Sequence, residues 1–248
     1  MIQRVAVVTG GGRGIGRDYA RALAEDGMAV VCADIMPDGA HETAKMIREA
    51  GGTGEAAVVD VTDPASAAAL AGFLKDRFGR CDVLVNNAAM FMGNKRSTGM
   101  TVEIEYWRRM FRVNLDGPLI MTQALAPMMI ENGWGRIVNQ ASTAAYMYSG
   151  DPYGVSKGAV ITLTLGLSAE LAPKGVTVNA IAPGPIPTDA LLSVVNDAIL
   201  DTLKQATPVS RLGTSADLVH GLRYLVSDNA SWITGQTLVI DGGWAKRY

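Results

Sequence analysis

The chain has 248 residues, 48% hydrophobic and 19% charged, which is long and apolar enough to bury a substantial core and unlike a disordered segment. Its 22 basic and 24 acidic residues give a formal net charge of −2, so it carries no electrostatic footprint for nucleic acid or an anionic membrane. Met1-Ile2-Gln3-Arg4 runs into a strand pattern without the features of a signal peptide, and no uninterrupted apolar run reads as a membrane span, so a cytoplasmic protein is expected.

In chain order, apolar runs at residues 5–8, 29–33, 56–59, 83–85, 136–139, 177–181 and 237–240 read as strands. Several lack strict alternation, as strands buried on both faces do. Helical patterns fall between them at 15–26, 39–50, 64–78, 102–132, 153–172 and 216–227. Pro64, following Thr62-Asp63, suits a helix start. Strand and helix in this alternation predict right-handed crossovers. The expected fold is one α/β domain over residues 1–248, a Rossmann fold with a doubly wound, seven-stranded parallel sheet flanked by helices. Residues 183–207 open with Pro183, Pro185 and Pro187 and continue as a mildly amphipathic helix, an insertion expected to act as a substrate lid. Cys32 and Cys81 adjoin apolar runs without a CxxC pairing and are expected as buried thiols of a reducing compartment. His41 and His220 stand in no ligand pattern, so they are expected at the surface and no metal is expected.

The first strand ends in Gly10-Gly11-Gly12-Arg13-Gly14-Ile15-Gly16, and a helix begins at once. Glycines let the backbone turn tightly and let a pyrophosphate approach with no Cβ in the way, while the new helix offers unpaired N–H groups and its positive dipole end. In this strand-to-helix context the reading is a dinucleotide site. The second strand ends in Asp34, whose carboxylate can accept from both adenosine ribose hydroxyls and would repel a 2′-phosphate. Ile35, Met36 and Pro37 follow, with no base, so NAD is expected over NADP; Arg13 in the glycine turn is a counter-signal.

Tyr153 and Lys157 lie four residues apart at the start of a helix and therefore share one face. A free phenol near pKa 10 is a poor base at neutral pH; a nearby ammonium favours the phenolate, and the positive nicotinamide ring adds to the effect. The pair is expected to be a general acid/base whose tyrosine is drawn below its ordinary value.

With Thr9-Gly10-x-x-x-Gly14-x-Gly16, Asn86-Asn87-Ala88-Ala89, Asn114, Ser142, Tyr153-x-x-x-Lys157 and Pro183-Gly184-x-x-x-Thr188 in order, the chain resembles the short-chain dehydrogenase/reductase family along essentially its whole length. The resemblance implies that Asp60 and Val61 contact adenine, that Asn87 and Ala88 support the sheet and cofactor, and that Pro183, Gly184, Thr188 and the Ile186 backbone bind the nicotinamide side. It implies Ser142 as the group holding the substrate oxygen, with Thr143 or Ser149 as minor rivals, and Asn114 as the holder of a water linking Lys157 to solvent. Ala89 stands where the family more often has glycine, and the segment between Ser142 and Tyr153 is somewhat shorter than usual.

By that analogy the pocket draws on Met90, Phe91, Met92, Tyr146, Met147, Tyr148, Leu191, Leu192, Val194 and Ile199, about half of them expected to be core packing only, which suggests an apolar or aromatic ketone or secondary alcohol. Lys95 and Arg96 leave an anionic substrate open. Alternatives are a 3-oxoacyl-carrier-protein reductase, against which Asp34 argues, a dihydrodiol or sugar dehydrogenase, and a non-catalytic dinucleotide-sensing protein. The family analogy and the run Val239-Ile240-Asp241-Gly242-Gly243-Trp244 lead to an expected homotetramer, or failing that a dimer.

Overall fold

Residues 3–91, 98–147 and 150–245 are described by the computed structural model, and seven parallel strands among them form one sheet. They are β1 (Val5–Thr9), β2 (Ala29–Asp34), β3 (Thr53–Val58), β4 (Val83–Asn86), β5 (Gly135–Gln140), β6 (Val176–Pro183) and β7 (Thr237–Ile240), in the order β3-β2-β1-β4-β5-β6-β7. The chain winds outward from β1 to β3, returns to lay β4 beside β1, and winds outward the other way. This is the doubly wound Rossmann arrangement, and its switch point lies between β1 and β4.

The helices are α1 (Gly14–Glu25), α2 (Pro37–Glu49), α3 (Pro64–Phe78), α4 (Ile104–Phe111), α5 (Gly117–Glu131), α6 (Pro152–Leu171), α7 (Asp189–Leu192), α8 (Asp197–Ala206) and α9 (Ser215–Leu225). Strand side chains alternate between two cores. Val5 and Val7 join Val31, Leu84 and Ile137 beneath α3, α5 and α6. Ala6 and Val8 join Val30, Cys32 and Val85 beneath α1, α2 and α9. Both faces are therefore buried, which is why the sequence shows continuous apolar runs rather than alternation.

Several boundaries move from those expected. The third strand is Thr53–Val58, three residues earlier at its start than read from the sequence, because it pairs with all of β2 from Ala29↔Thr53 onward. Gly54 permits that early pairing: a Cβ there would meet the Ala44 carbonyl at 2.7 Å. The helix expected across 102–132 is three segments, α4, a π-helical stretch Arg112–Asp116, and α5. Pro118 has no N–H to offer the Asn114 carbonyl four residues back, so the regular helix widens there. The single helix expected after the prolines is two, each with its own N-cap, Thr188 for α7 and Asn196 for α8.

Contrary to the expectation that no apolar run reads as a membrane span, helix α6 with the turn after it, Pro152–Lys174, is by length and composition alone long and apolar enough to cross a membrane. It packs instead on the sheet, with Ser156, Lys157, Thr164 and Ser168 among its buried residues. Cys32 and Cys81 are buried as expected, and burial pushes both thiols up, Cys32 to about 12. His41 and His220 are exposed, and no metal-binding cluster is present among the described residues.

Candidate active site

A cavity of about 1120 Å³ opens across the C-terminal ends of the strands, where an open α/β sheet leaves its crevice. Each strand delivers residues to it: Gly10 follows β1, Asp34 ends β2, Asp60 and Val61 follow β3, Asn87 and Ala88 follow β4, Gln140 and Ser142 lie at β5, Pro183 and Gly184 at β6, and Trp244 beyond β7.

The glycine turn forms an empty-sided cradle. Gly10 and Gly14 have φ of 63° and 53°, left-handed values that glycine adopts without strain. No protein atom lies within 4 Å of a Cβ built on Gly14, whereas one on Gly16 would collide with the Gly10 carbonyl. Helix α1 thus packs against the turn and leaves the space above it open. Its N-cap, Arg13, makes no side-chain cap hydrogen bond and no acidic side chain occupies the first turn, so Ile15 and Gly16 begin the helix where an anion is favoured. Arg13 is exposed at the cavity rim; Arg17 is committed, donating to the Gly12 carbonyl at 2.6 Å and to Thr43 at 3.0 Å. These features fit a pyrophosphate.

Asp34 is held by its own surroundings. Its carboxylate accepts from Gly12 N at 2.9 Å and from Met36 N at 3.0 Å, so the side chain stands fixed at the cavity edge. Asp60 is likewise fixed, accepting from the Thr62 amide and hydroxyl at 2.8 Å, and Val61 packs beside it against Gly117. Asn87 closes the switch point: its Nδ2 donates to the Thr9 carbonyl at 3.0 Å and the Gly10 carbonyl at 3.3 Å. Thr9, which sequence reasoning quoted in a motif but gave no role, is the hub. Its hydroxyl accepts from the Asn87 and Ala88 amides at 3.0 Å and donates to the Val85 carbonyl, locking the ends of β1 and β4 together.

Ser142, Tyr153 and Lys157 converge on one wall. Ser142 caps a short 3-10 turn, its Oγ accepting from Ala144 N at 3.1 Å while also bonding the Tyr153 hydroxyl. Asp151 caps α6 by accepting from Gly154 N at 2.8 Å, which sets the first turn that presents Tyr153. Phe91 packs edge-on against the Tyr153 ring, centroids 4.9 Å apart. Lys157 Nζ lies 5.7 Å from the centre of that ring and donates to the Gln140 carbonyl at 2.6 Å. Burial pushes the phenol of Tyr153 up to about 12, the Ser142 hydrogen bond opposing and Asp151 adding to the rise. Burial also pulls Lys157 down to about 7. The expected lowering of the tyrosine by its lysine is therefore not what this structure shows. Desolvation is the largest cause of both shifts, and it opposes the charged form of each group.

Asn114 lies in the π-helical stretch and is fully buried. Its amide is spent on protein: Oδ1 accepts from Met90 N at 2.7 Å, and Nδ2 donates to the Met90 carbonyl and to Ser156 Oγ, each at 3.0 Å. A water near Lys157 would have to use the Asn114 backbone carbonyl, which Pro118 leaves without an α-helical donor. Thr143, the minor rival to Ser142, is buried and donates to the Pro183 carbonyl at 2.9 Å, where it ties β5 to β6. Gly184 passes so close to β7 that a Cβ would meet Asp241 at 2.7 Å. Ile186 is divided: its side chain belongs to the core, while its carbonyl accepts from Thr188 N at 2.8 Å on the cavity rim.

Among the pocket residues expected from sequence, Phe91, Met147, Leu191 and Ile199 line the cavity, whereas Met90, Tyr146, Leu192 and Val194 do not. Met92, Lys95, Arg96, Tyr148 and Ser149 lie outside the described residues. Val195 and Leu203 also line the cavity, within the segment 185–207 that the family analogy assigns to the pocket, whereas Trp244 was not expected there. Trp244 was legible only as part of a tail. Gly242 and Gly243, at φ of 64° and 85°, reverse the chain, and Asp241 holds the turn by accepting from Gly243 N and Ala245 N at 2.8 Å.

Fold and site together define an α/β protein with a crevice across its strand ends and a buried tyrosine and lysine at one end of it. The family model described as Enoyl-(Acyl carrier protein) reductase matches residues 10–245. An uncharacterized oxidoreductase of Mycobacterium tuberculosis is 46% identical over 240 residues, which is 97% of this chain and 96% of that protein. A gluconate 5-dehydrogenase from Burkholderia cenocepacia, solved with NADP and tartrate, superposes with a TM-score of 0.93 at 36% identity, over 100% of this chain and 97% of that one. A 7α-hydroxysteroid dehydrogenase solved with NADH and 7-oxo glycochenodeoxycholic acid also gives 0.93, at 34% identity over 99% and 96%. This chain belongs to the short-chain dehydrogenase/reductase family.

Proposed function

We propose that the protein is an NAD-preferring oxidoreductase that interconverts a secondary alcohol and a ketone, with an apolar or aromatic substrate. The observation that carries this is the convergence of Ser142, Tyr153 and Lys157 on the cavity that also holds the glycine cradle. A bound nicotinamide dinucleotide would be held by Gly10, Arg13, Gly14, Ile15 and Gly16 at its phosphates, Asp34 at the adenosine ribose, Asp60 and Val61 at adenine, Asn87 and Ala88 between the halves, and Pro183, Gly184, Ile186 and Thr188 at the nicotinamide, with Tyr153 and Lys157 as further cofactor contacts, Lys157 at a ribose. It supplies or accepts the hydride.

The chain's own residues handle the oxygen and its proton. Ser142 Oγ donates to the substrate oxygen and keeps it beside the Tyr153 hydroxyl. In reduction Tyr153 gives its proton to that oxygen as the carbonyl becomes an alcohol, and in oxidation it takes the proton back. With its phenol held up to about 12, Tyr153 is fully protonated at neutral pH and already poised as the acid of the reducing direction. Lys157, near 7, can return a proton to the tyrosine at the same pH. The Asn114 carbonyl is the group suited to holding a water for onward exchange with solvent.

Preference for NAD rests on Asp34, whose backbone-fixed carboxylate leaves no room to turn away from a 2′-phosphate. The apolar substrate rests on Phe91, Met147, Leu191, Val195, Ile199 and Trp244, which cover the cavity beyond the catalytic wall. Asp151 and Asp189 at the lining favour neutral substrates over the anionic carrier of a 3-oxoacyl-carrier-protein reductase. Helices α7 and α8 bring Leu191, Ile199 and Leu203 over the cavity, as a lid would.

The test is turnover of a panel of ketones with NADH and NADPH. NADH is expected to be favoured at least roughly tenfold in kcat/KM, or about 1.4 kcal/mol, and Asp34→Ala is expected to narrow the gap. Equal efficiency with both cofactors overturns the NAD assignment. No turnover of any ketone or alcohol, with NADH bound, favours a sensing protein instead.

A further inference from the structure

Gln140, the last residue of β5, is given no role by the motif set or by the preceding reading. It is 8% exposed and lines the cavity two residues before Ser142. Three of its polar groups point in three directions. Its backbone carbonyl accepts from Lys157 Nζ at 2.6 Å. Its side-chain Oε1 accepts at 3.2 Å from the hydroxyl of Tyr19, a fully buried residue one turn into α1. Its Nε2 donates to no group among the described residues, although more than nine-tenths of the residue is withdrawn from solvent. The fully buried side-chain atoms without a partner among the described residues are Asn86 Oδ1 and Thr177 Oγ1; Gln140 Nε2 is not one of them and opens on the cavity its residue lines, where a ligand oxygen can accept from it.

The Tyr19 bond fixes the orientation of this amide. A hydroxyl donor on one side holds Oε1, which leaves the two N–H groups to face the other way. Tyr19 reaches Gln140 from behind the sheet, out of the core that α1 shares with β5. The place along the crevice follows from the strand order. The ends of β1, β2 and β3 form the end of the cavity with Asp34 and Asp60, while β5 forms the end with Ser142 and Lys157. Gln140 therefore belongs to the reactive end.

We propose that Gln140 Nε2 donates to an oxygen of the nicotinamide nucleoside, with Tyr19 as the positioning residue that aims it. This rests on the crevice being a dinucleotide site. One residue then touches the cofactor through its side chain and holds the catalytic lysine through its carbonyl, so correct seating of the nicotinamide half is registered directly at Lys157. The sequence concealed this, because a glutamine closing an apolar strand reads as the strand's solvated end.

The experiment is equilibrium binding, by calorimetry, of NADH and of ADP to the whole unmodified protein and to Gln140→Met and Tyr19→Phe. Methionine keeps the length of the side chain and leaves the backbone carbonyl in place for Lys157. Gln140→Met is expected to weaken NADH about tenfold while ADP, which lacks the nicotinamide half, stays within about twofold. Tyr19→Phe, which removes only a hydroxyl, is expected to weaken NADH by roughly threefold with ADP again unchanged. Unchanged NADH affinity in both variants overturns the proposal, and so does an equal loss of NADH and ADP, which marks a merely structural role. Should Gln140→Met fail to fold, Tyr19→Phe decides alone by the same two comparisons. Failure of the unmodified protein to bind either nucleotide is a separate result: it removes the dinucleotide reading itself, and this proposal with it.

Discussion

Replacing Lys157 by methionine should make the protein more stable while abolishing its chemistry. The lysine is 2% exposed and donates to the Gln140 carbonyl at 2.6 Å. Burial takes its pKa from 10.5 to about 7, and at 1.36 kcal/mol per unit a fall of ~3.5 units corresponds to about 5 kcal/mol held against the charged form. Methionine fills similar space without charge but leaves the Gln140 carbonyl without its donor, at about 1–3 kcal/mol. The net gain is about 2–4 kcal/mol, and even the lower figure raises Tm by roughly 4–8 °C in a chain of this size. The sign of the pH dependence is fixed. The unfolded chain keeps the lysine protonated to about 10.5, whereas the folded protein releases that proton near 7, so between those values the unfolded state binds more protons and the stability of the unmodified protein climbs with pH. Below about 7 both states hold the proton and the penalty is present in full. The advantage of Lys157→Met should thus be largest at pH 6 and fade toward pH 10. Thermal unfolding of the two proteins across that range, taken as a difference so that other groups cancel, is the assay. A variant no more stable than its parent at pH 6, or one whose advantage does not change with pH, refutes the reasoning.

Tyr153→Phe should reduce kcat by at least roughly a thousandfold while the NADH dissociation constant stays within about threefold, and Ser142→Ala should slow the chemical step by on the order of a hundredfold with equally little effect on NADH, since its partner is the substrate oxygen. Substantial turnover by Tyr153→Phe would show that another group moves the proton. Gly16→Ala should abolish NADH binding, because its Cβ collides with the Gly10 carbonyl and meets Asn87 Nδ2 at 2.5 Å; normal affinity in nucleotide titrations contradicts that. Trp244→Ala should raise KM for bulky apolar ketones about tenfold and for a small ketone such as acetone much less, as steady-state kinetics would reveal; an equal change for both shows that the tail only supports the fold. A homotetramer is proposed from Trp232 at 98% exposure with Leu165 and Leu238 exposed as well, apolar surface that a subunit contact would cover. Light scattering should report four chains, and a stable monomer at micromolar concentration contradicts it.

The sequence by itself determined the fold and the identity of the cofactor turn. Apolar runs such as residues 29–33 and 136–139 are buried on both faces, and that requirement writes itself locally as β-branched residues without alternation. The glycine turn was equally legible, since Gly10 and Gly14 occupy φ values that other residues rarely adopt. Tyr153 and Lys157 announced their shared helix face by spacing alone. Tertiary structure decided what depends on groups distant in the chain. The π-helical stretch around Asn114 follows from Pro118 together with the close packing of Gly117 on Val61, and the second of these cannot be seen from neighbouring residues. Trp244 reaches the cavity only because β7 ends beside β6, where Gly184 admits Asp241. The protonation of Tyr153 and Lys157 likewise depends on distant groups. Spacing shows that a lysine is near a tyrosine, but whether that lysine is charged depends on how much protein surrounds it, and here burial drives the two groups toward neutrality. Local rules fix backbone conformation and which face a side chain occupies; desolvation is a sum over everything packed around a group, and only the folded chain supplies it.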